Sequence, residues 1–129
     1  MQWNNKKNHG FSESDTPYLP TDSRENAPTV EAQEKDENSV LSFVKALIKL
    51  HRTTPSLWAE SEIKIINEGY PFVFERSDGN NKLIIAINPS AEEYSLKISN
   101  SLPIINENCD YKDGTLKMQG VSVFIGATQ

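Results

Sequence analysis

The sequence is poor in the residues that form covalent cross-links and metal centres. Its 129 residues include one cysteine and two histidines. Cys109 has no cysteine partner in the chain for a disulfide or a CxxC zinc site, so we expect a half-buried thiol at a strand end. His9 and His51 have no acidic or thiol neighbours at ligand spacing. The sequence therefore predicts no metal site and no cofactor.

Long apolar runs and basic clusters are also missing. No run approaches the roughly 20 apolar residues of a membrane-spanning helix, and the N-terminus lacks the layout of a signal peptide. Thirteen Lys and Arg stand against 18 Asp and Glu, for a net charge of −5, and the basic residues do not cluster. We therefore expect neither a membrane nor a nucleic-acid partner. Both the cytoplasm and the periplasm stay open as compartments.

Motifs of catalysis are absent as well. The chain has no GxSxG, no glycine-rich phosphate loop and no HExxH. Its acidic residues fall at predicted turns, near the predicted helix start or on strand faces, where a solvated surface role is usual. From its own residues the chain is not predicted to be an enzyme, and no catalytic residue is assigned.

One strong helix signal is present, over Ser39–Arg52. Apolar side chains recur there at helical spacing, and Lys45 and Lys49 lie four residues apart on the opposite face. Asp36 is the expected N-cap, because its carboxylate can accept from free amides of the first turn. Thr54 precedes a proline and should end the helix.

The sequence before the helix is polar and rich in turn formers. Trp3, Phe11 and Tyr18 are isolated aromatics without a period of 2 or 3.6. A segment of this length without periodicity is typical of a functional loop held by a larger body, or of disorder.

The sequence after the helix has the pattern of short antiparallel strands. Leu83–Ile87 is apolar on both faces and should be a central strand. The stretch Asp78–Asn81 predicts a hairpin turn. Further candidate strands are Ile63–Asn67, Phe72–Arg76, Tyr94–Ile98, Leu102–Ile105, Leu116–Met118 and Val121–Ile125. We predict a mostly β chain: an antiparallel β-sandwich of Greek-key type, preceded by one amphipathic helix and a long irregular N-terminal segment.

Several short motifs follow one another in an informative order. They are Met1-Gln2-Trp3, Gly10-Phe11-Ser12, Tyr18-Leu19-Pro20, Val30 to Gln33, Asp36 with Ser39, and Leu47 to Leu50. This series resembles the C-terminal portion of α-glucosidases in the α-amylase superfamily, glycoside hydrolase family 13. The typical run there is TPMQW, NAGFS, a W/YLP turn, NVxxQ, a DPDS helix start and a LIxLR helix end. His9 departs from the usual small Ala, Glu37 from the usual proline and His51 from a common Arg.

The resemblance implies an organisation and a function. Residues 1–35 would be the loop after the last strand of a catalytic barrel, residues 36–54 the last barrel helix, and residues 55–129 the C-terminal β-sandwich. The parent enzyme would hydrolyse α-linked oligosaccharides by a retaining mechanism, with two carboxylates that are not in this chain. Gln2 and Trp3 would lie near its substrate. The chain itself would be an inactive fragment with a structural role and with the barrel as its partner in cis.

Other readings of the sequence stay open. A non-catalytic relative, such as the heavy chain of an amino-acid transporter, has the same loop motifs. A free-standing carbohydrate-binding sandwich would need exposed aromatics on a sheet face, and Tyr94 is the candidate among the strands. Self-association through the exposed helix face is a further expectation. Sugar linkage, chain length and the choice of hydrolysis or transglycosylation are not encoded in these motifs.

We predict that the segment from Gln2 to about Glu34 is mobile in the isolated chain. Ordering a loop costs roughly 1–2 kcal/mol per residue in backbone entropy, and scattered aromatic anchors cannot offset that without a surface to cover. Limited proteolysis should cut first within this segment and leave a core that starts near Asp36. Strong amide-exchange protection across Phe11–Val30 in dilute monomer would contradict the prediction.

Overall fold

The computed structural model describes residues 1–24 and 26–128. Glu25 and Gln129, which fall within the predicted segments 1–35 and 55–129, lie outside the described residues. Two helices precede six strands: α1 (Val30–Lys35), α2 (Val40–Thr53), β1 (Glu62–Asn67), β2 (Phe72–Ser77), β3 (Lys82–Asn88), β4 (Tyr94–Lys97), β5 (Ser101–Lys112) and β6 (Thr115–Thr128). The 3-10 turns Lys7–Gly10 and Pro55–Leu57 complete the elements. The chain divides into two compact units, Met1–Leu50 and His51–Gln129.

The first unit contains a helix that the sequence did not predict. Helix α1 has six residues, too few for an apolar period to show. Thr29 caps it: the buried hydroxyl oxygen accepts from the amide of Ala32 at 3.2 Å. The predicted single helix is thus joined by a shorter one inside the predicted loop.

Helix α2 matches the prediction in extent, but its cap is different. Ser39 stands immediately before the helix, and its Oγ accepts from the amide of Ser42 at 3.1 Å. Asp36, the predicted cap, instead closes the preceding turn by accepting from the amide of Asn38 at 2.9 Å. The prediction of Asp36 was wrong because the four residues 36–39 between α1 and α2 form a turn, in which the amide of Ser39 donates to Asp36 O and Ser39 is left next to the helix. No side chain of α2 is fully buried, and the predicted docking of its apolar stripe stays a prediction.

The second unit is an antiparallel sheet, as predicted. The strand order is β1-β2-β3-β6-β4, and β5 pairs with β6 as well. The hairpin predicted at Asp78–Asn81 connects β2 to β3, and Gly79 has a φ of 90° there. Leu83 to Ala86 are all buried, which confirms β3 as a central strand. The β-rich fold class is therefore confirmed.

Strand β6 joins two runs that the sequence analysis treated as separate strands. Residues Leu116–Met118 and Val121–Ile125 both belong to it. Its first part pairs with β4 and its last part with β3, while β5 runs along both. Between them the register shifts opposite Asn108, and Val121 has a φ of 51°. We call residues 119–122 the β6 bulge.

The β6 bulge folds the β5–β6 ribbon back over the sheet. Tyr111 on β5 is the register partner of Leu116, which a straight strand would place roughly 26 Å from Phe124. The rings of Tyr111 and Phe124 are nevertheless 5.2 Å apart. The fold-over creates two layers and encloses the core, which consists of Val73, Ile84, Ala86, Leu116, Met118 and Phe124.

Buried Asn88 fixes the β6 bulge to the end of β3. Its Nδ2 donates to the carbonyls of Glu92 and Gln119, each at 2.8 Å. Its Oδ1 accepts from the amide and the hydroxyl of Ser90 at 3.1 and 2.8 Å. The amide of Val121 donates to Ser90 O at 2.8 Å. The 1% exposed side chain thus has partners for both polar atoms, as a buried amide requires.

We expect Asn88→Ala to destabilise the protein by about 2–3 kcal/mol, because the carbonyls of Glu92 and Gln119 lose their donor and a buried side chain is removed. Urea unfolding followed by circular dichroism measures the change. The matched control is Asn106→Ala on β5, an exposed asparagine, which should change stability by less than about 0.5 kcal/mol. Equal stability of Asn88→Ala and wild type would mean that the bulge does not depend on Asn88.

Candidate functional site

The predicted substrate-proximal residues Gln2 and Trp3 lie in an anchored part of the first unit. The amide of Trp3 donates to His9 O at 2.8 Å, and Trp3 O accepts from the amide of Glu31 at 2.9 Å. Gln2 O accepts from the amide of Val30 at 3.0 Å. The backbone of both residues is therefore held between the 3-10 turn and the start of α1.

The two side chains differ in their surroundings. Trp3 as a residue is 48% exposed. The Oε1 atom of Gln2 is buried without a hydrogen-bond partner among the described residues. This arrangement places a half-exposed tryptophan beside an amide whose oxygen is buried, and the predicted mobility of the segment in the isolated chain stays a prediction.

A left-handed turn sets this geometry. Asn8, His9 and Gly10 all have positive φ, at 49°, 54° and 73°. Asn and His are the non-glycine residues that tolerate this region best. Asn8 Nδ2 donates to Ser12 O at 3.0 Å, and a Cβ on Gly10 would come within 2.6 Å of the Asn4 side chain. Packing of this kind leaves glycine as the fitting residue at position 10.

The first unit also contains the ion pair of Asp22 and Arg24. Arg24 Nη2 lies 2.5 Å from Asp22 Oδ2. Hydrogen bonds from the Arg24 side chain and backbone lower the pKa of Asp22 to about 2, with a smaller contribution from His9. The same pair raises the pKa of Arg24.

The described residues contain no group of three or more His, Cys, Asp or Glu that could hold a metal ion. Several carboxylates are instead paired with lysines on the surface, in the pairs Glu31–Lys35, Glu34–Lys45 and Glu75–Lys82. Cys109 is half-buried as predicted, and burial raises the pKa of its thiol. Over the same residues, no helix has the length and apolar character to cross a membrane.

A second candidate site lies in the second unit, at Trp58. Sequence reasoning missed it because Trp58 follows the helix in a segment without strand periodicity. The ring is 46% exposed and lines a cleft of about 350 Å³. Tyr94, the aromatic that the sequence suggested, is half-buried on β4. The available signal was that Trp58 is one of only two tryptophans in the chain.

Ser56 and Asp78 hold the chain near Trp58 against the β2–β3 hairpin. Fully buried Ser56 bonds through its hydroxyl to Asp78 Oδ2 at 3.1 Å, and its carbonyl accepts from Arg76 Nε at 3.2 Å. Asp78 Oδ1 accepts from the amides of Asn81 and Asn80 at 2.7 and 2.9 Å. These bonds, led by the amide of Asn81, lower the pKa of Asp78.

We expect Asp78 to make stability depend on pH in the acid range. A carboxylate with a lowered folded-state pKa stabilises the fold above its unfolded pKa of about 3.9, and this contribution is lost as the pH falls through the folded pKa. Asp78→Asn should therefore show a smaller loss of stability between neutral and acidic pH than wild type. Urea unfolding at a series of pH values measures it.

Asn80→Ala is the control for this experiment, because it keeps the backbone amide that bonds Asp78. It should retain the wild-type pH dependence. If the free energy of unfolding falls equally with decreasing pH in wild type and Asp78→Asn, Asp78 does not contribute to the loss of stability in acid.

Comparison with known proteins finds similarity to glucosidases and to an amino acid transporter heavy chain. Residues 1–60 match the family model described as alpha amylase, catalytic domain. The probable oligo-1,6-glucosidase 2 of Bacillus subtilis (strain 168) is 33% identical over 94 residues, which cover 72% of this chain and 17% of that protein. The human amino acid transporter heavy chain SLC3A1 is 29% identical over 103 residues, or 79% of this chain and 15% of that protein. The chain thus spans about a sixth of the length of these curated relatives.

A solved structure of a family GH13_31 enzyme has the same fold as this chain. The TM-score is 0.86 at 23% sequence identity, over 100% of this chain and 23% of the other. At this identity the likeness concerns the fold. The catalytic-domain match and the glucosidase relative make the chain similar to the α-amylase family of glycosidases, glycoside hydrolase family 13.

Proposed function

We propose that the chain is the C-terminal portion of an α-glucosidase-type enzyme that hydrolyses α-glucosidic bonds in oligosaccharides with retention. The observation that carries the proposal is where the catalytic-domain match stops. It covers residues 1–60, and the first strand of the sheet begins at Glu62. The sheet therefore has the position of a separate domain that follows a catalytic domain.

In this proposal the loop after the last barrel strand is residues 1–35, the last barrel helix is residues 36–54, and the C-terminal β-domain is residues 55–129. The hydrogen bonds of Trp3 support a structured loop, since its amide and carbonyl are both engaged within the first unit. The barrel would be the partner of this chain in cis.

Gln2 and Trp3 would lie near the substrate of the whole enzyme. Loops at the C-terminal ends of barrel strands line the active site in barrel enzymes. Trp3 has a fixed backbone and a half-exposed ring, so little conformational freedom would be lost when a sugar packs against it.

The chain alone would be inactive and would serve a structural role. A retaining mechanism requires two carboxylates about 5–5.5 Å apart, one as nucleophile and one as acid and base. Glu31 and Glu34 in the matched region are engaged by Lys35 and Lys45 at 2.9 and 3.2 Å. Exposed ion pairs of this kind are typical of a solvated surface, so we do not propose these two carboxylates as a catalytic pair.

The purified chain should release no more product from aryl α-glucosides or maltose than a buffer control, because it lacks the acid and nucleophile pair. An α-glucosidase with activity on both substrates, assayed in parallel, is the positive control. Turnover that co-purifies with the chain and disappears on mutation of one acidic residue would refute the proposal.

A second candidate function is that of a non-catalytic relative. The similarity to the human transporter heavy chain, at 29% identity over 79% of this chain, is the observation in its favour. Reading the gene upstream of the Met1 codon distinguishes the two. An in-frame barrel with the acidic residues of a retaining glycosidase supports the enzyme, and a barrel without them supports the non-catalytic relative.

A further inference from the structure

Trp58 is a half-exposed aromatic residue whose position is fixed from several sides. Its indole Nε1 donates to His51 O at 3.1 Å, and its amide donates to Pro55 O at 2.9 Å. Its carbonyl accepts from the amide of Ser61 at 3.1 Å. Because the protein already satisfies the indole N–H, the part of the side chain left for a ligand is the π face, which attracts cations.

The cleft beside Trp58 is acidic. It has a volume of about 350 Å³, near the lower end of the usual range for ligand clefts. Its lining contains three carboxylates and no basic side chain, and it consists of Pro55, Trp58, Glu60, Ser61, Glu62, Ser77, Asp78 and Gly79. An aromatic residue and a surplus of negative charge therefore share one cleft.

The strand register explains why these carboxylates share one cleft. Glu62 begins β1 and is the register partner of Ser77, which ends β2. Asp78 follows Ser77 directly, and Glu60 stands two residues before Glu62. The three acidic residues thus come from two chain segments that meet at one end of the β1–β2 pair.

No cation among the described residues neutralises this charge by an ion pair. The guanidinium of Arg76 donates from Nε to Ser56 O at 3.2 Å and from Nη2 to Trp58 O, so it is engaged by neutral carbonyls. The ion pairs that the described residues form involve other carboxylates. The charge of the cleft therefore favours a cationic ligand.

The arrangement of the carboxylates favours an organic cation over a metal ion. The described residues include no group of three or more His, Cys, Asp or Glu that could hold a metal. Asp78 already accepts from the amides of Asn80 and Asn81 and bonds the hydroxyl of Ser56. Direct N–H donors from a ligand are thus left to the exposed Glu60 and Glu62.

We propose that the Trp58 cleft binds an alkylammonium cation, with the ammonium group donating to Glu60 and Glu62 and its carbon chain lying on the indole face. Asp78 adds attraction through its charge without a direct bond. The cleft is formed wholly by residues 55–79, outside the segments 1–54 assigned above to the barrel. The site is therefore independent of the proposed glycosidase function.

Titration of the full chain with butylammonium chloride, followed by amide and indole NMR shifts, tests the proposal. Sodium chloride at matched ionic strength is the reference. Saturable shifts should map to residues 55–62 and 77–79 and include the indole of Trp58. 1-Butanol, which has the same carbon chain without the charge, should bind at least about tenfold more weakly. Tetramethylammonium, which has no N–H donor, should also bind more weakly than butylammonium.

Variants separate the roles of charge and ring. The double change Glu60→Gln with Glu62→Gln keeps the size of both side chains and should weaken butylammonium binding about tenfold or more. Trp58→Phe retains a ring with a weaker attraction for cations and should weaken binding by about threefold. The matched control is Glu93→Gln, which removes an exposed carboxylate outside the cleft and should leave binding unchanged.

Four results would overturn the proposal. They are the absence of saturable shifts with butylammonium, equal affinity for 1-butanol, unchanged affinity in the double glutamine variant, and shifts of the same residues by calcium chloride but not by the amine. Both glutamate positions are exposed, so their substitution leaves the fold intact and the comparison holds even if Trp58→Phe fails to fold.

Discussion

The β6 bulge is the constraint on which the β-rich unit depends. Without it, β5 and β6 would form a flat ribbon, and Tyr111 would stand far from Phe124 instead of 5.2 Å away. The fold-over brings Leu116 and Met118 into the buried cluster with Val73, Ile84 and Ala86. Val121 has a φ of 51°, and a positive φ carries a steric cost for a β-branched residue. The amide of Val121 bonds Ser90, and Asn108 Nδ2 donates to its carbonyl at 3.1 Å.

Two buried polar side chains, which we call the polar hubs, hold connecting segments of this unit in place. Asn88 ties the β3–β4 connection to the β6 bulge, and Ser56 ties the segment after α2 to the β2–β3 hairpin. Each hub has its hydrogen bonds satisfied while buried, which makes it costly to disrupt and specific in geometry. The exposed ion pairs on the surface contribute far less, because water and salt screen them.

The two tryptophans have similar surroundings in the structure. In each case backbone hydrogen bonds hold the residue while about half of its surface stays exposed: 48% for Trp3 and 46% for Trp58. The left-handed turn fixes Trp3 from one side, and the 3-10 turn Pro55–Leu57 fixes Trp58. Binding to a surface that is already fixed loses little conformational entropy.

The sequence by itself determined the features that depend on local patterns. The period of α2, the apolar run of β3 and the Asp78–Asn81 turn were predictable, because each is encoded within a few neighbouring residues. The motif series from Gln2 onward also indicated the family. Tertiary structure alone decided the rest. Where Leu116–Met118 and Val121–Ile125 join into β6, Gln119 O accepts from Asn88, which lies about 30 residues away in sequence. The cap at Ser39 and the cleft at Trp58 likewise arise from how the chain turns and from contacts with residues distant in sequence, and no local period carries that information.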